Sequence, residues 1–175
     1  PYKWRVYSNF YTSNGPEGEI LLDYAEKEWN KIPHTGETPV QIIEEVVNHG
    51  RKAVEAIEKA EPYVNKNQNE FNRLKNDVFC YNAFANYFSE KVKAALLVLR
   101  YRYSNDLNDL KLAFPHLEKS VDYYKQLTDF TLNTYLYANS MQTQQRRIPI
   151  SGSNGKNKTW VELLPKYEEE LLKFR

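Results

Sequence analysis

The side chains in this sequence with the widest choice of chemistry are three histidines, His34, His49 and His116, and one cysteine, Cys80. A di-metal carboxylate centre in a helical bundle would need two Glu-x-x-His pairs on facing helices. Glu45 and His49 stand four apart, His34 falls in a Pro- and Gly-flanked stretch, and no second pair exists, so the spacing argues against that centre. A nucleophilic cysteine needs a depressed pKa from a neighbouring histidine or a helix N-terminus. Cys80 sits mid-segment between Phe79 and Tyr81 and reads instead as a small packed hydrophobe. A lone cysteine also excludes an internal disulfide and any zinc site built on several cysteines. The patterns of zinc proteases, phosphate-binding loops, dinucleotide folds and nucleophile elbows are missing, so no cofactor and no metal are expected. Asp106 and Asp109 resemble a carboxylate pair, but both fall at a helix start, where acids complement the dipole. Glu168, Glu169 and Glu170 read as a solvated face, as do Lys91, Lys93, Arg100 and Arg102.

One stretch rises above this background. Between Asp129 and Glu162 there is no acidic residue, while Arg146, Arg147, Lys156 and Lys158 are interleaved with amides and aromatics. Tyr135, Gln142, Gln145, Arg146, Arg147 and Trp160 are the candidate binding residues. Flat aromatic rings, amides and guanidinium groups suit stacking on a sugar ring, hydrogen bonding to its hydroxyls, or meeting an acidic protein surface. The same residues admit a purely structural reading, in which the two arginines close a helix C-terminus and Trp160 anchors the last helix.

Helices must carry these residues. A short one is expected from about Glu19 to Lys31, with Ile20, Tyr24 and Trp29 inward. Thr38-Pro39-Val40-Gln41 is a capping-box start, followed by apolar spacing from Ile43 to Ala60 and a stop near Pro62. From Phe71 to Tyr103 an unbroken stripe steps by three or four, which predicts a helix of about 35 residues, about 50 Å long. A fourth stripe runs from Leu107 to Ala138, with Pro115 marking either its true start or a kink. Residues 147–155 read as a loop, and Thr159 with Glu162 opens a last helix ending near Phe174. The fold class is therefore all-α: an antiparallel three- to four-helix bundle with two long central helices and a short C-terminal one. Residues 1–37 are expected to form an extension with a short helix, packing on the bundle or on a neighbour, and residues 38–175 the bundle itself.

Composition narrows the partners. Of 175 residues, 24 are basic and 23 acidic, a formal charge of +1 that lacks the footprint of a nucleic-acid binder. No apolar run is long enough to span a bilayer. With Pro1 first and Met141 the sole methionine, the chain is expected to be a piece of a longer protein. Trp4, Tyr7, Phe10 and Tyr11 are then expected to pack on this domain or on an adjoining one.

The run YLYANSMQTQQRRIPISG from Tyr135, with KTWVELLPKYEEELLKF from Lys158, resembles helical accessory regions of bacterial polysaccharide-degrading, glycoside-active multidomain proteins. The resemblance lies mainly in the last quarter of the chain and carries no catalytic residue. It implies a non-catalytic domain that supports or assembles its neighbours in a periplasmic or secreted protein. The alternative is a free-standing helical module that binds a peptide or partner helix in a groove. An enzyme with a less obvious polar site is the third reading.

Overall fold

Apolar residues recurring at the α-period force amphipathic rods, and the rods bury their stripes against one another. The computed structural model describes residues 18–135 and 159–175. Its helices are α1 (Leu21–Asn30), α2 (Pro39–Ala60), α3 (Gln68–Ser104), α4 (Leu107–Thr131) and α5 (Trp160–Phe174). A 3-10 turn, Glu61–Tyr63, follows α2, so Pro62 ends that helix rather than kinking it. The protein is all-α, with no strand among the described residues beyond an isolated bridge between Gly18 and Glu37.

Local chemistry sets the helix ends. Thr38 and Gln41 form the expected capping box with Pro39 at the first helical position, and Thr159 and Glu162 form another at the start of α5. Asp106 accepts a hydrogen bond from the Asn108 N–H and caps α4. Asn105 closes α3 in the left-handed region at φ 53°, a conformation asparagine tolerates, so a two-residue connector reverses the chain. Pro115 neither starts nor divides α4, which is continuous from Leu107 to Thr131. Pro115 has no N–H for the Lys111 carbonyl, and both residues are exposed.

Long-range contacts fix the order of packing. Asn76 of α3 donates to the Phe130 carbonyl of α4 at 3.1 Å, and Arg100 meets Asp109 at the other end, which makes α3 and α4 antiparallel. Glu61 pairs with Lys75 at 2.6 Å beyond the α2 end, so α2 runs back along α3. There the backbones come close: a Cβ on Gly50 would lie 2.9 Å from Asn82 Oδ1 and 3.3 Å from Asn82 Cα. Three clusters fill the interior. Leu21 and Ala25 of α1 join Ile43, Val92, Ala95 and Leu99. Cys80, Ala83 and Tyr87 join Tyr124, Leu127 and Leu163, while Ala94 joins Ala113 and Leu117.

Several expected faces differ. In α1 the buried pair is Leu21 and Ala25, and Trp29 is 47% exposed, stacked on Tyr103. The long stripe of α3 is buried at Ala85, Val92, Ala95 and Leu99 but exposed at Leu74 and Tyr81. α1 seats on the later part of that stripe, with Leu21 and Ala25 against Val92, Ala95 and Leu99 and Trp29 on Tyr103. The buried edge of α5 includes Leu163, beside the expected Leu164 and Tyr167. Lys91 is buried rather than solvated, with its ammonium 2.6 Å from Glu170 and 4.7 Å from the Tyr167 ring centre. Glu170 is therefore a pairing residue, not a member of a free acidic face.

The approach at Gly50 yields a direct check. Gly50→Val is expected to lower stability by about 1–3 kcal/mol, because the added carbons meet Asn82 before any helix-propensity gain counts. Urea unfolding measures it; an unchanged midpoint would mean α2 and α3 do not come this close.

Candidate functional site

Tyr135 and Trp160 are the candidate residues that the structure brings together. Tyr135 follows the last turn of α4, and its N–H donates to the Thr131 carbonyl at 3.2 Å. Trp160 is the first residue of α5, placed by the Thr159–Glu162 box. Their rings meet edge to face with centroids 5.6 Å apart. The Tyr135 hydroxyl donates to Asp77 Oδ1 on α3, a partner that no local pattern announced. Both rings pack against the cluster of Cys80, Tyr87, Tyr124 and Leu163. The two ends of the acid-free stretch are thus joined at one end of the bundle. Gln142, Gln145, Arg146 and Arg147 lie outside the described residues, as do Trp4, Tyr7, Phe10 and Tyr11.

Most other chemistry-bearing side chains have structural employment, while His49 is exposed on α2. The Cys80 thiol is pushed up to about 11 by burial, with the Asp77 charge adding to it, which leaves it protonated and unreactive. Asp109 is wholly buried, unlike an ordinary helix-start acid. It accepts from Ser104 Oγ at 2.6 Å and lies 2.9 Å from Arg100 Nη2. That guanidinium contact is coulombic, since Oδ1 lacks a partner in hydrogen-bond geometry. Arg100 therefore ties α3 to α4 instead of only decorating a wet face. His116 Nδ1 lies 2.6 Å from Glu90, which also accepts from Lys93. Burial raises the Glu90 carboxyl, but the His116 and Lys93 bonds outweigh it and hold the group below its usual value.

A polar cluster that sequence reading missed lies around His34. Its Nδ1 is 2.8 Å from Glu19 Oε2 and its Nε2 is 2.7 Å from Glu28 Oε1, while Tyr24 stacks on the ring at 4.7 Å. Glu19 also accepts from Lys27 at 2.5 Å and from the Thr35 N–H at 2.8 Å. Burial alone would raise the Glu19 carboxyl; the bonds from Lys27, Thr35 and His34 win and hold it at about 2. The warning sign in the sequence was one histidine within reach of several glutamates on a short helix. Among the described residues no three His, Cys, Asp or Glu side chains are grouped so as to hold a metal ion. No described helix is long and apolar enough to cross a membrane.

The junction of Tyr135 with Asp77 is open to a double-mutant cycle. Tyr135→Phe and Asp77→Asn are each expected to cost about 1–2 kcal/mol, and the pair together less than their sum. Additive losses in denaturant unfolding would show that the two groups do not interact.

No family model and no curated protein matches the chain. Among solved structures, a GH138 enzyme targeting pectin rhamnogalacturonan II aligns over 99% of this chain at 50% identity with a TM-score of 0.85. The chain spans 25% of that protein's length. It is similar to a helical quarter of a larger polysaccharide-degrading enzyme, which ties this helical architecture to polysaccharide degradation.

Proposed function

We propose that the chain is a non-catalytic helical accessory region of a polysaccharide-degrading protein. It would support neighbouring domains and offer the acid-free stretch as a contact surface. The observation that carries this reading is the alignment of nearly the whole chain, at 50% identity, with a quarter of a glycoside-active enzyme. The most buried carboxylates support it as well. Glu19 and Asp109 are each engaged by a cation, Lys27 and Arg100 respectively, and so serve packing rather than acid-base work. Residues 1–37 belong to the reading as an extension with a short helix, packing on the bundle of residues 38–175 or on a neighbour. The seating of Leu21 and Ala25 among Ile43, Val92, Ala95 and Leu99 supports that division.

The partner follows from charge. A rhamnogalacturonan carries galacturonate, and carboxylates along a glycan are attracted to a stretch with arginines and no acids. In this reading Arg146 and Arg147 pair with carboxylates and Gln142 and Gln145 bond hydroxyls. Tyr135 and Trp160 fix the base of the surface and offer ring edges.

Affinity electrophoresis of the chain through gels containing rhamnogalacturonan or neutral glucan tests this, with reducing-end release measured on the same polysaccharides. Retardation by the acidic glycan alone, without product, is expected. Arg146→Gln with Arg147→Gln should weaken it about tenfold while leaving thermal unfolding unchanged. Equal retardation of wild type and variant would remove the arginines from the surface. Saturable product release would overturn the non-catalytic reading.

A further inference from the structure

The ring of bonds around His34 has a property that its lengths alone impose. Both imidazole nitrogens lie within hydrogen-bond reach of a carboxylate oxygen, at 2.8 Å and 2.7 Å. A carboxylate accepts and does not donate when ionised, so each nitrogen must carry a proton to make a bond. The arrangement therefore belongs to the imidazolium form. A neutral ring would turn one lone pair towards a carboxylate, and that contact would be repulsive.

We propose that His34 is a proton-operated clip: doubly protonated, it fastens Glu19 and Glu28 together and holds the entry to α1 and the loop before α2 as one unit. Loss of one proton to solvent opens one end. The geometry says which end. Glu19 is 5% exposed at its side chain and is also held by Lys27 and the Thr35 N–H, whereas the Glu28 side chain is 58% exposed. The neutral ring therefore keeps Nδ1–H on Glu19 and releases Glu28.

What the clip fastens is specific. Glu19 sits in the segment whose N–H donates to the Glu37 carbonyl at 2.9 Å, beside the Gly18–Glu37 bridge. His34 and Thr35 belong to the loop that leads back into that bridge, and Thr35 Oγ1 accepts from Lys27. Residues 18–37 thus close on themselves, with α1 inside the ring.

The charged and titratable groups facing His34 are Glu19, Lys27, Glu28 and the stacked Tyr24, with Glu44 of α2 acting on the same phenol. α3 presents Val92, Ala95 and Leu99 to α1, and the Tyr103 phenol, stacked on Trp29 at the far end of α1. The balance favours the cation, and the bonds to Glu28 and then Glu19 raise the imidazole above its ordinary 6.5. The sign follows: a raised pKa gives stability that is complete below 6.5 and is lost as pH climbs through the folded-state value. On the acid side, the contribution of Glu19 is complete above its ordinary 4.5 and fades as pH falls towards about 2.

Nitrogen-15 NMR of the histidine rings across pH 5 to 9 (a range spanning the ordinary histidine value) tests the clip, with His34 assigned through His34→Gln. His34 should titrate above 6.5, pass from two ring protons to the Nδ1–H form, and carry the amide shifts of residues 18–37 with it. Glu28→Gln, at an exposed position, should lower that midpoint and, by the same linkage, lower thermal stability more at pH 6 than at pH 9. A midpoint at or below 6.5, an Nε2–H neutral form, or amides of 18–37 that ignore the titration would each overturn the proposal.

Discussion

Three tyrosines from three helices meet at one point, and the last layer of the bundle hangs on that meeting. Tyr87 of α3, Tyr124 of α4 and Tyr167 of α5 have ring centroids 4.3 to 5.4 Å apart, in tilted and edge-on arrangements. Tyr87 and Tyr124 are almost fully buried, and burial beside Tyr167 pushes the Tyr87 phenol well above its ordinary value. Lys91 lies across the group, with its ammonium on Glu170 and its charge over the Tyr167 ring. Such a junction satisfies polar tips that an all-aliphatic core would leave bare. It also fixes the rotation of α5, because Tyr167 and Glu170 stand three apart on one helical face.

Several charged side chains are engaged within the fold: Lys91 by Glu170, Arg100 by Asp109, His116 by Glu90, and His34 by Glu19 and Glu28. α3 runs through all three apolar clusters. Tyr135 and Trp160 rest on the same cluster as the tyrosine junction.

Much of the fold was legible because its signals are local. Thr38 with Gln41 and Thr159 with Glu162 encode helix starts within four residues, and the stripes through Val92 and Val121 encode buried faces by period alone. What escaped were the contacts between distant residues. Lys91 and Glu170 are 79 positions apart, and neither has a neighbour that betrays the other. Lys91 therefore looked like one of several solvated cations. Coverage of α3 was equally hidden, since the stripe runs evenly through Tyr81 and Val92 while the packed helices bury Val92 and leave Tyr81 exposed. At the candidate site, the grouping of Tyr135 with Trp160 could be read from shared composition. The hold of Asp77 on Tyr135, across 58 residues, could not.

The dependence of α5 on the tyrosine junction is the claim most open to direct trial. Residue-resolved hydrogen exchange of the full chain carrying Tyr167→Ala would measure it. Amides of α5 should lose protection strongly, those of α4 facing the junction modestly, and those of α1 and α2 hardly at all. Protection that falls evenly over all five helices, or leaves α5 untouched, would contradict the account.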